Sequence, residues 1–263
     1  MTEQKRQECA RILKQEEISE GIFSLWIESA QIARDARPGQ FAALYCKDRS
    51  RLLPRPISIC EADPDGNRIR LVYRVAGAGT AEFSALGAGD TLEITGPLGN
   101  GYPSEEVSRN DGSALLIGGG IGIPPMLELA KRMHCEKTIV LGYRDHIFMA
   151  DAFSAYGPVY IATEDGSCGS RGNVMDCIRE NGLRGDRIFA CGPTPMLRSL
   201  QAYAREHAIP CWLSLEQRMA CGIGACLACI CHTTETDEHS GVKNARICVE
   251  GPVFNATQIE LKG

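Results

Sequence analysis

The stretch Ala114-Leu115-Leu116-Ile117-Gly118-Gly119-Gly120-Ile121-Gly122-Ile123-Pro124-Pro125-Met126 decides the fold. Its apolar run Ala114–Ile117 reads as a strand of the fully buried type, and the glycines that follow as a tight turn. Pro124 then opens a helix that the pattern carries to His134. Proline suits a first helical turn because its missing N–H would be unpaired there anyway. A strand, a glycine turn and a helix in this order make an anion cradle, with backbone N–H groups turned toward a phosphate. The spacing departs from G-x-G-x-x-G: with Gly120 and Gly122 as the first two glycines, the third position is Pro125. A glycine cluster that serves packing alone is the plain alternative.

Downstream the same grammar repeats. Thr138–Tyr143, Val159–Ala162 and Arg187–Ala190 read as strands, Val174–Asn181 and Pro195–His207 as helices, so a parallel α/β sheet is expected. Cys191-Gly192-Pro193-Thr194-Pro195-Met196 follows one strand and opens a helix. Glu164-Asp165-Gly166 follows another strand end, where ligands of open α/β sheets collect. Carboxylates beside an adenosine ribose favour its 2′-hydroxyl over a 2′-phosphate, so NAD is expected over NADP, although Arg171 is close by.

Upstream, from Ile12 to Gly99, short strands alternate with Gly, Pro and Asp turns: Ile22–Ile27, Gln40–Tyr45, Ile57–Cys60, Arg68–Val75 and Thr91–Thr95. In Arg68–Val75, Ile69, Leu71, Tyr73 and Val75 share one face and Arg68, Arg70, Val72 and Arg74 the other. Such spacing predicts a small β-barrel or sandwich. Arg55-Pro56-Ile57-Ser58 puts a guanidinium, a rigid bend and a hydroxyl at a strand start, and Val72-Tyr73-Arg74 adds a second arginine. Gly77-Ala78-Gly79-Thr80 follows, with Thr80 as cap of a short helix Ala81–Leu86 stopped by Gly87. Either arginine alone is an ordinary surface residue; together with a glycine turn at a helix start they complement a pyrophosphate. The polar, turn-rich Pro103–Gly112 is the expected linker.

At the other end, Trp212–Glu216 reads as a last strand feeding Met219-Ala220-Cys221-Gly222-Ile223-Gly224-Ala225-Cys226-Leu227-Ala228-Cys229-Ile230-Cys231. Cys221, Cys226 and Cys229 have C-x4-C-x2-C spacing and Cys248 lies downstream, the plant-type [2Fe-2S] ligand pattern. Small residues let the loop's N–H groups approach sulfur. A zinc site would more often show two C-x2-C pairs, and a thioredoxin-like pair would leave Cys221 and Cys248 without a role. Cys231 is read as a bystander, and Thr233–Gly241 as an exposed turn. His134, His146, His207, His232 and His239 show neither metal nor triad spacing.

Composition narrows the classes. A net charge of −5 over 263 residues argues against a nucleic-acid protein. No run reaches the ~18 apolar residues of a membrane span, and the polar first residues lack a signal-peptide core. The 13 cysteines, without an export signal, point to reduced thiols and a cytoplasmic location. Cys9, Cys46, Cys135, Cys168, Cys177 and Cys211 show no ligand spacing and are expected as small buried hydrophobes.

The motifs R-P-x-S, V-Y-R and G-T, then G-G-G-x-G-x-x-P and C-G-P-x-x-M, resemble the ferredoxin–NAD(P) reductase superfamily. The resemblance implies an FAD-binding β-barrel (residues 1–103), an NAD-binding parallel-sheet α/β domain (112–214) and a small C-terminal [2Fe-2S] subdomain (215–263). It nominates Arg55, Pro56, Ile57, Ser58, Val72, Tyr73, Arg74, Gly79 and Thr80 for FAD, and Gly118, Gly119, Gly120, Gly122, Cys191, Gly192 and Pro193 for NAD. Cys221, Cys226, Cys229 and Cys248 are the nominated cluster ligands. Gly96–Tyr102 resembles the superfamily's barrel exit. With the tail motifs S-L-E-x-R-M-A-C-G-I-G-A-C-x-x-C and C-x-x-G-P-V-F, the whole chain resembles the electron-transfer subunits of class 1B dihydroorotate dehydrogenases. That family implies an FMN-containing catalytic subunit as partner, a heterotetramer with two copies of each, and NAD+ as exchangeable acceptor in pyrimidine (UMP) biosynthesis. With every motif assigned to a redox cofactor, no catalytic acid–base pair is expected in this chain. Related tails occur in sulfhydrogenase subunits and in ferredoxin-bifurcating complexes, and a non-redox zinc-tail binding module is the reading from another class.

Overall fold

In the computed structural model, which describes residues 5–236 and 241–261, the alternating segments of the first hundred residues close on themselves. The elements are β1 (Arg6–Ser19), β2 (Ile22–Glu28), α1 (Ala30–Asp35), β3 (Phe41–Tyr45), β4 (Arg55–Asp63), β5 (Arg68–Arg74), α2 (Ala78–Ser84) and β6 (Thr91–Leu98). The strands form a closed antiparallel barrel, β1-β2-β5-β4-β3-β6, sealed where Arg6–Arg11 pairs with Thr91–Gly96. Ile12, Leu25, Ile27, Leu44, Ile59, Ile69, Leu71, Tyr73 and Ile94 fill its core. The phase expected for β5 holds: Ile69, Leu71 and Tyr73 are buried while Arg68 and Arg74 are exposed. Val72, on the outer face, is buried too, because the second unit covers it.

Several local expectations need correction. The strands expected at Ile57–Cys60 and Thr91–Thr95 run longer, as β4 and β6. The N-terminal segment, polar enough to hide a strand, forms the first half of β1, where the buried Ala10 and Ile12 share their phase with Arg6 and Glu8 while Gln7, Cys9 and Arg11 stand on the other face. The short helix starts at Ala78, with Gly77 before it, so Thr80 lies inside the first turn. Its hydroxyl reaches backward, accepting from Ala76 N at 2.9 Å and Gly77 N at 3.2 Å. Cys9, on the outward phase of β1, and Cys168, in a turn, are exposed, whereas Cys135, Cys177 and Cys211 are buried as expected and Cys46 is half-buried.

The linker is ordered and holds α3 (Ser104–Ser108). It is fastened by the buried Arg187, which donates to the Asp111 carbonyl at 2.7 Å and to Glu106. Then come β7 (Ser113–Gly119), a 3-10 turn at Gly120–Gly122, α4 (Pro124–Arg132), β8 (Glu136–Tyr143), α5 (Ala150–Phe153), β9 (Val159–Thr163), β10 (Ser170–Arg171), α6 (Val174–Glu180), β11 (Arg187–Cys191), α7 (Thr194–Glu206) and β12 (Cys211–Ser214). The tail adds β13 (Ile230–His232), β14 (Asn244–Arg246) and β15 (Val253–Asn255). The main sheet runs β10-β9-β8-β7-β11-β12-β15, parallel throughout except for β15. From β7 the chain first builds outward through β8 and β9, then returns to lay β11 and β12 on the other side. The strand order therefore reverses between β7 and β11, and the carboxyl ends of those two strands flank the crevice where such sheets bind ligands.

Two shared cores lock the parts together. Phe41, Ala43 and Leu98 of the barrel pack in one cluster with Leu215, Cys229, Ile247 and Cys248 of the tail. Ile22, Cys60 and Val72 pack with Met126 and Leu127 of α4 in another. Beside that second contact the buried Glu128 carboxylate accepts from Ala62 N at 3.1 Å, in β4, and from Arg132 Nε at 2.7 Å. No helix among the described residues is long and apolar enough to cross a membrane.

Candidate functional site

At the barrel, Arg55 lies across the start of α2. A Cβ on Gly79 would stand 2.1 Å from Arg55 Nε, so only glycine lets the guanidinium occupy that place. Arg55 also donates to the Leu53 carbonyl, and Arg51 to Ala78 O at 2.9 Å and to Glu82 at 2.7 Å. Pro56, Ile57 and Ser58 follow Arg55 on β4, each half-buried, and Arg74 is exposed at the end of β5. Arg55 and Gly79 are thus brought into contact, and the Thr80 hydroxyl is engaged in the turn that leads there. Two nominated side chains point elsewhere. The Tyr73 ring turns into the barrel, stacked on Phe23 at 5.8 Å and edge-on to Phe83 at 6.3 Å. Its hydroxyl donates to Gln15 Oε1 at 3.0 Å, and burial pushes its pKa well up. Val72 is buried against the second unit. A ligand on the barrel surface can meet these two residues only through their main chain.

At the sheet reversal, Gly118 pairs with Cys191 and Ile117 with Ala190. The glycines divide by task. A Cβ on Gly122 would lie 2.4 Å from Cys191 O, one on Gly119 2.5 Å from Met196 Sδ, and one on Gly192 2.5 Å from Met196 Cε. These three let the glycine turn and the Cys191-Gly192-Pro193 turn lie backbone against backbone. Gly120 differs: its φ is +52° and nothing lies within 4 Å of its Cβ position, so its outer side is open. Packing and cradle are both present, on different residues. Burial pushes the Cys191 thiol up to about 12, against the lowering contact of the Ser214 hydroxyl. Pro193 immediately precedes α7. At the end of β9, Asp165 accepts from Ser167 N at 3.0 Å, which holds its carboxyl below the usual range. The Arg171 side chain packs over Gly166, so acid and base share this corner.

The cysteine loop has little regular structure. It is shaped by Gly222 at φ +69°, Gly224 at +92° and, unusually for a side-chain residue, Leu227 at +56°. Ala225 N donates to Cys221 Sγ at 3.3 Å and Cys221 N to Cys226 Sγ at 3.5 Å. Burial pushes the Cys221 thiol up, but the Ile223 N–H, the Cys226 thiol and the Ala225 and Cys226 N–H groups outweigh it and bring it down to about 6. Cys248 goes the other way, to about 12, through burial and the Cys229 thiol beside it. Cys221 thus stands beside Cys226 and Cys248 beside Cys229, with Cys221 also acting on Cys248. Among the described residues no three His, Cys, Asp or Glu side chains converge as ligands of a single ion. Neighbouring thiols with N–H groups aimed at sulfur suit an iron–sulfur cluster, which Cys221, Cys226, Cys229 and Cys248 would hold through their thiolates. Cys231 lies in β13, paired with Ala245 of β14, and burial pushes its thiol up to about 11. His239 and part of the Thr233–Gly241 turn fall on residues 237–240, outside the described residues.

Contacts that the sequence did not disclose close this cage. Ile247 N donates to Cys229 O at 2.8 Å, tying the segments of Cys229 and Cys248 together. Arg246 donates through Nε to Glu250 at 3.0 Å and through Nη1 to Gly224 O at 3.1 Å. Asn100, at the barrel exit, donates from its backbone N to Gly251 O at 2.6 Å and from Nδ2 to Glu250 O at 3.2 Å. A Cβ on Gly99 would meet Pro252 Cδ at 2.7 Å. The one available signal was the proximity in sequence of Asn100 to a glycine pair and of Arg246 to Cys248.

Comparison with known proteins agrees with this anatomy. Residues 216–260 match the family model described as the iron-sulfur cluster binding domain of dihydroorotate dehydrogenase B. The chain is 39% identical over 263 residues to the dihydroorotate dehydrogenase B (NAD(+)) electron transfer subunit of Shouchella clausii, covering 98% of this chain and 99% of that one. The subunit of the same description from Streptococcus pneumoniae is also 39% identical, over 261 residues, with 97% and 99% covered. Among solved structures, an NADH-dependent reduced ferredoxin-NADP oxidoreductase studied for flavin-based electron bifurcation superposes with TM-score 0.85 at 32% identity, covering 97% of this chain and 90% of that one. A ferredoxin NADP+ reductase from Neisseria gonorrhoeae with bound FAD and NADP shares the fold at TM-score 0.62 and 16% identity, covering 76% and 91%.

Proposed function

The chain belongs to the family of dihydroorotate dehydrogenase B electron transfer subunits, and on that premise we propose that it carries electrons between an FMN-containing catalytic subunit and NAD+ in pyrimidine biosynthesis. Its cofactors are FAD, a [2Fe-2S] cluster and exchangeable NAD. A nicotinamide exchanges hydride, an iron–sulfur cluster single electrons, and a flavin either, which is the chemistry these groups supply when bound.

The chain's own residues bind and orient. Arg55 and Arg74 complement the FAD pyrophosphate at the start of α2, with Gly79 admitting the Arg55 guanidinium. Pro56, Ile57 and Ser58 line the flavin side, Val72 and Tyr73 contribute main chain, and Thr80 rigidifies the turn. The open N–H face around Gly120 meets the NAD pyrophosphate, supported by Gly118, Gly119, Gly122, Cys191, Gly192 and Pro193. Cys221, Cys226, Cys229 and Cys248 hold the irons. Residues 1–103, 112–214 and 215–263 divide these tasks, the assembly is a heterotetramer with two copies of each subunit, and the location is cytoplasmic.

The observation that supports this reading is the tie between the barrel exit at Asn100 and Glu250–Gly251, the segment that follows Cys248. The test is anaerobic co-purification from native cells with cofactor analysis. About one FAD per two irons, an FMN-bearing partner and dihydroorotate-dependent NAD+ reduction are expected. A colourless, zinc-containing protein would sink the redox reading. The 32% identity to the ferredoxin-NADP oxidoreductase supports a second reading, a subunit of a bifurcating complex. Recovery of a partner that reduces ferredoxin and ignores dihydroorotate would select it.

A further inference from the structure

One peptide unit of the cysteine loop is gripped at both ends. The carbonyl of Gly224 accepts from Arg246 Nη1 at 3.1 Å, and the N–H of the same peptide bond, on Ala225, donates to Cys221 Sγ at 3.3 Å. Gly224 is required for this pose. Its φ is +92°, and any Cβ there would stand 2.5 Å from Val249 Cγ2, in the segment that carries Cys248. The guanidinium is in turn held by Glu250, which its Nε reaches at 3.0 Å and 3.1 Å on the two carboxylate oxygens.

We infer that Arg246 is a positioning residue that sets the reduction potential of the cluster through the Gly224–Ala225 peptide, with Glu250 damping its effect. This rests on the reading that the four cysteines hold a [2Fe-2S] cluster. A peptide group is delocalised over its C–N bond, so a cation at the oxygen draws electron density from the nitrogen. The N–H then becomes a stronger donor, as members of a hydrogen-bond chain polarise one another. Hydrogen bonds to the sulfurs help set the potential of an iron–sulfur cluster, and they favour its more negative, reduced state. Arg246 thus raises the potential from outside the ligand set, in the manner of an outer-shell partner of a metal site. Glu250 offsets part of that charge.

The two residues therefore predict opposite signs. Redox titration of the full FAD-containing chain, followed by the EPR signal of the reduced cluster with iron and FAD content measured alongside, reads them. Arg246→Gln is expected to shift the cluster potential negative, Glu250→Gln to shift it positive, and Arg246→Lys to fall between Arg246→Gln and the wild type. An unchanged potential in Arg246→Gln with iron retained overturns the inference, as does a shift of the same sign in both glutamine variants. If Arg246→Gln loses its iron, Glu250→Gln decides alone: a positive shift supports the inference and a wild-type potential overturns it. Loss of iron from both glutamine variants also overturns it and assigns the pair to cage integrity only. A wild-type chain that binds no iron would instead remove the underlying cluster reading.

Discussion

The glycine turn at Gly118–Gly122 and the cysteine loop at Met219–Cys231 are both small-residue segments built to approach a cofactor, yet they are held in different ways. The first sits on the ends of β7 and β11, in register inside a seven-stranded sheet, and Gly119 and Gly122 fit against Met196 and Cys191. Its shape follows from core packing and exists before any ligand arrives. The second hangs between β12 and β13 with almost no ladder of its own, fixed by positive-φ glycines, one arginine and neighbouring thiols. If it holds a cluster, its order is expected to depend on that group, as in metal sites whose binding energy is also folding energy. A turn made by packing should fail through sterics, and a loop made by ligation through loss of a ligand.

The largest effect should come from the loop. Cys248→Ser or Cys229→Ser is expected to abolish normal cluster content, read as iron and the reduced EPR signal together, whereas Cys231→Ser keeps both. Loss in Cys231→Ser would break the comparison by moving the ligand set into β13. Gly122→Ala comes next, because the new methyl would stand 2.4 Å from Cys191 O. Overpacking of this kind costs about 1–3 kcal/mol, and urea unfolding should show it together with weakened NADH binding and unchanged iron. Glu128→Ala removes the acceptor of the Ala62 N–H at the seam between barrel and sheet. A buried group left unpaired costs about 1–3 kcal/mol, and Glu128→Gln should recover much of the loss in thermal melts.

The smallest expected effect lies at the amino end of the sheet, far from either turn. The Arg109 guanidinium hydrogen-bonded to Asp111 holds that carboxyl down at about 2, below its ordinary value of 3.8. A depressed carboxyl stabilises the fold above its unfolded value, and that contribution is lost as pH falls through the folded one. Asp111→Asn should therefore be slightly less stable than wild type at neutral pH, the gap closing between about pH 4 and 2. A gap that widened in acid would mean that Arg109 is not its partner in solution.

How much of this was legible depended on whether a feature is local. The period-2 phase of Arg68–Val75 and the strand–glycine–proline sequence at Ala114–Pro125 are local, and the structure has both. The phase even settled Tyr73, since a residue in step with Ile69 and Leu71 must point into the barrel; the family motif drew attention to the ring, and the alternation gave its direction. The first half of β1 was obscured because the charged Arg6 and Glu8 take the phase of the buried Ala10 and Ile12 and so erase the apolar alternation. Cys9 stands on the opposite, exposed phase with Arg11, which is why its expected burial failed. Thr80 was misplaced by one helical turn because Gly77, without a side chain to cap with, leaves no mark at the true start. Arg246 on Gly224 and Asn100 on Gly251 join residues 22 and 151 positions apart, and no window of sequence brings such pairs together.

The antiparallel strand β15 has a consequence of its own. The chain leaves the sheet at Ser214 and re-enters at Val253, and these two residues are direct partners across the β12–β15 ladder. Their Cα atoms lie only about 5 Å apart, as in any antiparallel pair. The whole cysteine segment is thus an excursion whose ends nearly touch, spliced into what would otherwise be a plain hairpin. A change in its length can be absorbed without moving those two ends, but its removal would strip Cys229, Ile247 and Cys248 from the core they share with Phe41, Ala43 and Leu98. The one-electron module is an inserted part, carried on the border of a two-electron machine.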